Sequence, residues 1–389
     1  MKPKLFRVTT IPESLKTLLK GQHKFMAANG FEVIGVASNG KALVDVSQDE
    51  NIGVIGLNMT RKITLFRDIL SVYNLYKVIR KEKPIIVHSH TPKAGIVSML
   101  ASKLANVPIR LHTVAGLPLM EAKGSKRILL NFVEKVTYAC ATNVFPNSKG
   151  LFQFIVNEEL VSSKKLKVIA NGSSNGIDTS FFDSENISEV EKEELRTKLN
   201  IHNTDFVFIF VGRLVGDKGI NELIEAFSRI NVCNVKLLLV GEFENDLDPL
   251  LIKTINEIEK NPNIISVGFQ SDVRPYFGIS NCLVFPSYRE GFPNVVMQAG
   301  AMGLPSIVSD INGCNEIIEE GINGTIITIK DTKSLFESML KMVNNEHWRC
   351  QLASNARDKI VSRYEQQVVW DAILNEYKSL LIEKELQNV

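Results

Sequence analysis

Three groups of residues combine types and spacings that could do chemistry. The first is Phe285-Pro286-Ser287-Tyr288-Arg289-Glu290-Gly291-Phe292-Pro293-Asn294-Val295-Val296-Met297-Gln298-Ala299-Gly300. A carboxylate precedes a glycine and a proline, and then a helix-forming run. Proline near the first helical position, with glycine before it, leaves backbone N–H groups free for phosphate or hydroxyl oxygens. Asn294 and Gln298 lie four apart and share a helical face. The plainer alternative for the stretch taken alone is a strand-to-helix turn with a surface glutamate. The second is Val211-Gly212-Arg213-Leu214-Val215-Gly216-Asp217-Lys218-Gly219. Arg213 offers a bidentate fork and Lys218 a point charge, a pair suited to a diphosphate whose leaving oxygen gathers negative charge. The plain alternative is an exposed basic loop. The third is a set of histidines at strand ends: His88 and His90 in Val87–Gly95, and His112 in Arg110–Gly116. A lone histidine in such a place is more often structural than ligand-binding, and of the three His112 is the stronger candidate for a ligand contact.

The elements that must position these residues follow from hydrophobic patterning. Short apolar runs alternate with amphipathic helical patterns, the signature of βα units around a parallel sheet buried on both faces. The first half predicts strands at 5–10, 32–38, 53–57, 84–88, 109–113, 143–146 and 166–170, with helices at 13–29, 65–81 and 123–140. The second half restarts the scheme with strands at 205–212, 235–241, 263–268, 281–286, 305–309 and 325–329. At 389 residues the chain suits two such domains. Expected bounds are 1–183 and 184–363, with a C-terminal helix, 364–389, that packs back on the first domain. The fold class is α/β, two doubly wound Rossmann-like domains whose ligands lie beyond the carboxyl ends of the strands. Neither G-x-x-x-x-G-K-[ST] nor G-x-G-x-x-G occurs, which argues against a P-loop NTPase and a standard dinucleotide turn.

Together, the Arg213–Lys218 and Glu290–Gln298 segments resemble the retaining family-four glycosyltransferases of the GT-B fold, along nearly the whole chain. The resemblance implies two domains facing across a cleft. It also implies transfer of a sugar from a nucleotide diphosphate donor, UDP being common in the family, to a saccharide acceptor. A lipid-pyrophosphate-linked acceptor in capsule, O-antigen or exopolysaccharide synthesis is the expected case. In that family the arginine and lysine bind the donor pyrophosphate, which carries over to Arg213 and Lys218. The first glutamate of the signature, here Glu290, holds hydroxyls of the transferred sugar, while the backbone of Gly291, Phe292, Pro293 and Asn294 cradles sugar and phosphate. The second glutamate, an acceptor for ribose hydroxyls, is replaced by Gln298, which keeps a carbonyl acceptor and loses the charge. His112 matches a histidine near the reacting centre, and Ala115 stands where related lipid-acceptor enzymes carry a further histidine. Phe269, in Gly268-Phe269-Gln270, resembles the base-recognition turn, and Gly21 falls at the family's glycine-containing loop over the diphosphate. The departing phosphate can take the acceptor's proton, so no protein base is required. Rival readings are a nucleotide-sugar 2-epimerase, which shares the architecture, and a catalytically inactive nucleotide-sugar-binding relative.

Composition narrows the setting. Hydrophobic residues make up 44% and charged residues 23% of the chain, which is ordinary for a globular protein. No N-terminal apolar run reads as a signal peptide, so a cytoplasmic enzyme is expected. The five cysteines form no CxxC pair and read as reduced core residues. Residues 1–185 carry 25 Lys and Arg against 14 Asp and Glu, whereas the remainder carries 20 against 29. Seven cations between Arg61 and Lys83 (Arg61, Lys62, Arg67, Lys77, Arg80, Lys81, Lys83) interleave with apolar residues from Ile63 to Ile79, read as the face that packs on the sheet. The cations suit peripheral attachment to an anionic membrane; no nucleic-acid partner is expected. Asp246-Leu247-Asp248 has the form of a metal-binding DxD, but its acidic neighbours fit a solvated loop better, and no cofactor or essential metal is expected. Activity should therefore be unchanged by a chelator; loss in chelator with recovery in manganese would show otherwise.

Overall fold

The computed structural model describes residues 2–60, 64–120, 122–244 and 248–386. The chain divides into two compact units. Unit 1 comprises the chain up to Gly176 together with the C-terminal helix Gln366–Leu386; unit 2 is Ile177–Glu365. Residues 177–183 belong to unit 2 because Arg357 donates to the carbonyls of Phe182 and Thr179, each at 3.0 Å, and to Asp183 Oδ2 at 2.6 Å.

Among the described residues unit 1 holds six strands: β1 (Lys4–Val8), β2 (Glu32–Ala37), β3 (Gly53–Gly56), β4 (Ile86–Ser89), β5 (Ile109–Val114) and β6 (Asn143–Pro146). All pairings are parallel, in the order β3-β2-β1-β4-β5-β6. Unit 2 repeats the plan with β7 (Phe206–Val211), β8 (Val235–Val240), β9 (Ile264–Ser266), β10 (Cys282–Phe285), β11 (Ser306–Ser309) and β12 (Gly324–Ile327), ordered β12-β11-β10-β7-β8-β9. Both are the 3-2-1-4-5-6 arrangement of a Rossmann sheet, with its switch point between the first and fourth strands. Central strands such as Val207–Phe210 and Cys282–Phe285 are buried along their length because helices cover both faces.

Several sequence expectations change. A single helix over 13–29 becomes Pro12–Leu18 and Gln22–Ala28, broken where Gly21 takes a left-handed φ of +80°. The strand at 166–170 is reduced to one bridge, Val144 with Leu166, before Ala170 turns left-handed at φ +49°. Of the cysteines, Cys140, Cys282 and Cys314 are buried, but Cys233 and Cys350 are exposed. On the helix Leu65–Glu82 the described side chains that are buried are Ser71, Leu75 and Ile79, four residues apart, while Phe66, Ile69, Leu70 and Tyr73 face solvent. Its apolar residues exceed what one face can bury, so the sheet-packing reading fails for four of them. Arg61, Lys62 and Ile63 lie outside the described residues.

Several polar residues inside unit 1 meet in a network around Arg7. Arg7, fully buried on β1, donates from Nε to His90 Nε2 at 3.0 Å, from Nη1 to the Tyr377 hydroxyl at 3.1 Å, and from Nη2 to Gln22 Oε1. His88 bonds the Tyr377 hydroxyl and Thr113 Oγ1. Burial lowers the His88 and His90 imidazoles and takes His23 down to about 3 and His112 to about 4. It raises Glu134 to about 7. The histidines are neutral in the fold and gain protons on unfolding below about pH 6.5, so their contribution is lost as pH falls. Glu134 has the opposite sign, between about pH 4.5 and about 7, and offsets one of them. Each unopposed histidine adds up to about 1.4 kcal/mol per pH unit. Denaturant midpoints should therefore fall steadily from about pH 7 to about pH 5, and a flat profile would contradict this balance.

Candidate functional site

In unit 2 the loops after β7 and β10 leave adjacent strands at the switch point. Lys218, from the first, donates to Glu290 Oε1, from the second. Ser287 Oγ lies 3.1 Å from the same carboxylate oxygen, and Lys218 Nζ is 5.7 Å from the centre of the Phe285 ring. The lysine and glutamate side chains are only 16% and 17% exposed. Shielding from water strengthens the attraction between the two charges and raises the cost of leaving either one unpaired. Asp217 anchors the loops to each other: its carbonyl accepts from the Tyr288 N–H at 2.8 Å and its carboxylate from Arg289 Nη2 at 2.7 Å.

The loop Glu290–Pro293 runs into the helix Asn294–Ala301. The N–H groups of Gly291, Phe292, Asn294 and Val295 have no acceptor among the described residues, so this corner presents a row of free donors and the positive end of a helix. Asn312, after β11, donates from Nδ2 to the carbonyls of Gly291 at 2.6 Å and Glu290 at 3.2 Å, pinning the loop from behind. A Cβ on Gly313 would come within 2.8 Å of the Gly291 carbonyl oxygen, which is why glycine stands there. Gln298 is half-buried one turn beyond the exposed Asn294.

Arg213 is half-exposed and paired with Glu244. Phe269 is exposed and follows Gly268, whose φ is +68°. Asp246 and Leu247, with the neighbouring Asn245, lie outside the described residues. Asp248 Oδ2 accepts from the Asp217 N–H, which gives that carboxylate a structural partner. Among the described residues no group of three or more His, Cys, Asp or Glu side chains could hold a metal.

His112 and Gly21 belong to unit 1. His112, buried on β5, bonds Ser89 Oγ through Nδ1 at 2.8 Å, and its ring lies against Gly95, where a Cβ would come within 2.6 Å of Cε1. Gly21 caps the helix Gln22–Ala28; its N–H donates to Glu50 Oε1, and Trp370 of the C-terminal helix covers its open face. At the switch point of this unit, the Thr10 N–H donates to Thr91 Oγ1 at 3.0 Å.

Sequence reasoning missed Arg7, Ser287, Asn312 and the Tyr377 hydroxyl. Asn312-Gly313 after a buried strand carried a turn signal; Arg7 carried none, since one charge in an apolar strand reads as an edge residue.

Two family models match the chain: the one described as glycosyl transferases group 1 over residues 191–359, and the one described as glycosyl transferase 4-like over residues 10–148. Over 386 residues the chain is 34% identical to CapM, a capsular polysaccharide biosynthesis glycosyltransferase of Staphylococcus aureus, covering 98% of each chain. It is 27% identical over 362 residues to the UDP-Gal:alpha-D-GlcNAc-diphosphoundecaprenol alpha-1,3-galactosyltransferase of Escherichia coli, covering 91% of this chain and 90% of the relative. The crystal structure of HepE from Anabaena in complex with UDP and glucose has the same fold, with a TM-score of 0.80 and 18% identity over 97% of this chain and 100% of that one.

Gly219 follows Lys218 with φ +71°, and a Cβ there would come 2.1 Å from the Pro286 carbonyl oxygen. Gly219→Ala should push the two loops apart and cost at least about 2 kcal/mol, by strain and steric overlap together. A denaturant midpoint of unit 2 unchanged by Gly219→Ala would show that the loops are not so tightly joined.

Proposed function

The chain belongs to the glycosyltransferases of the GT-B fold and moves a sugar from a nucleotide-sugar donor to a saccharide acceptor; from that premise we propose which residues act and on what. The observation that carries the reading is the shielded Lys218–Glu290 pair beside the free N–H groups at the head of the helix Asn294–Ala301. A diphosphate attracts Lys218 Nζ, and Glu290 Oε1 is then released to accept hydrogen bonds from sugar hydroxyls. The N–H groups of Gly291, Phe292, Asn294 and Val295 donate to oxygens of the donor. Arg213, half-exposed, exchanges Glu244 for phosphate, a partner of greater charge.

In the transfer the bond between the anomeric carbon and the diphosphate oxygen breaks, and its electron pair stays on the phosphate, where Lys218 and Arg213 offset the new charge. The acceptor hydroxyl adds on the same face and its proton passes to that phosphate, so the configuration is retained. His112 is neutral near pH 7, because burial takes its imidazole down to about 4. It acts as a hydrogen-bonding wall of the acceptor side rather than as a cation. Gln298 accepts a ribose hydroxyl through its carbonyl, without the charge a glutamate would bring. A UDP-sugar is the proposed donor and a lipid-diphosphate-linked saccharide the acceptor, in agreement with the Escherichia coli relative, whose name specifies UDP-Gal and a diphosphoundecaprenol carrier.

Lys218→Ala and Glu290→Ala should each lower the rate of transfer by about 100-fold to 1,000-fold, the loss typical of one transition-state contact, with the fold retained by circular dichroism. Mass analysis of a lipid-diphosphate saccharide incubated with UDP-sugars reads the product. A new epimer from UDP-sugar alone would point to the 2-epimerase reading, and no turnover with any nucleotide sugar to the inactive relative.

A further inference from the structure

Unit 1 exposes large apolar side chains on two helices where a solvated face would be polar. On Leu65–Glu82 the stripe is Phe66, Ile69, Leu70 and Tyr73, at helical spacing on a single face, with Phe66 90% exposed and Ile69 68%. Lys77 and Arg80 continue the exposed side, Lys77 Nζ lying 4.4 Å from the centre of the Tyr73 ring. On Gly124–Cys140 the buried residues, Glu134, Thr137, Tyr138 and Cys140, all fall in the second half. The first half leaves Ile128 73% and Phe132 65% exposed, beside the exposed Lys123 and Lys126. Both helices lead from the carboxyl ends of strands, β3 and β5, and the helix Pro92–Leu104 packs against both. The two apolar clusters therefore lie in one helical layer, at one edge of the sheet. Scattered apolar side chains on a surface need no explanation, but clusters rimmed by charge do.

We propose that this edge of unit 1 is a docking surface for an anionic lipid bilayer. Phe66, Ile69, Leu70, Tyr73, Ile128 and Phe132 enter the boundary between headgroups and acyl chains, while Arg67, Lys77, Lys123 and Lys126 meet the headgroup phosphates. Charge selects this occupant over a second copy of the chain, because a two-fold contact would set the same cations against one another. Among the described residues no helix is long and apolar enough to cross a membrane, so attachment here is to one surface. The edge is also where the strands bearing His88 and His112 end. A saccharide on a lipid diphosphate would be presented to that side, a corollary that rests on the transfer reading; the docking itself does not.

Flotation of the full chain with vesicles, in the absence of any donor, tests the surface apart from the activity. The wild type should float with vesicles of phosphatidylcholine and phosphatidylglycerol, less with phosphatidylcholine alone, and should keep part of its binding in high salt because apolar insertion is not screened. Phe66→Gln/Ile69→Gln and Phe132→Gln should each weaken binding by about tenfold or more, as removal of large side chains from an apolar medium requires. Emission of Phe66→Trp should shift to the blue on adding vesicles, relative to the wild-type background. Unchanged flotation of the glutamine variants, or no shift in Phe66→Trp, would overturn the proposal. So would a dimer in light scattering that the same substitutions abolish while vesicles leave the wild type unbound.

Discussion

In a parallel sheet every strand runs the same way, so the chain leaves each strand on the same edge and the loops that can differ chemically gather there. Both units obey this constraint, with the same order of strands. In unit 2 the two central strands at the reversal of order, β7 and β10, deliver Lys218 and Glu290 to one point, although 72 residues separate them in the chain. Neither helix propensity nor charge patterning brings these two together. The register of neighbouring strands does, and glycines at 219 and 313 allow the loops to close over it.

Strand interiors that are covered on both faces exclude charge unless it is paired. Arg7 is the exception that organises unit 1. Its hydrogen-bond partners, His90, Gln22 and Tyr377, come from the loop after β4, the second helix and the C-terminal helix. Without those acceptors a guanidinium in the middle of β1 would be an uncompensated cost. The network therefore ties the last element of the chain to the first strand, and Val369, Ile373, Tyr377 and Leu380 complete the contact with an apolar stripe. One consequence is a unit built from residues distant in sequence. Another is that His90, accepting from Arg7 at Nε2, keeps its proton on Nδ1.

Electrostatics divides the labour between the units. The basic half of the sequence contains the exposed apolar helices of unit 1, whereas unit 2, rich in acidic residues, keeps its key cations paired: Lys218 with Glu290 and Arg213 with Glu244. Paired cations of this kind are available to a stronger anion without being free to bind weak ones.

The fold class, twelve of the thirteen expected strands and the turns that carry Lys218 and Glu290 were legible in the sequence. They rest on local signals: apolar runs of strand length, helix-period patterns, and glycine and proline at turns. The break at Gly21 was not legible, because a glycine in a helical pattern signals either tolerance or a turn, and only the Trp370 face and the Glu50 carboxylate decide which. Nor was the fate of Phe66, Ile69, Leu70 and Tyr73: amphipathic spacing identifies a face but not what covers it. The partners of Arg7 and the clamp of Asn312 on Gly291 are long-range contacts with no pattern along the chain. The sequence by itself determined which residues are chemically able and on which kind of element each sits. Tertiary structure alone decided which are adjacent, which are shielded and which apolar faces remain open, because those depend on strand order and packing between segments far apart in the chain.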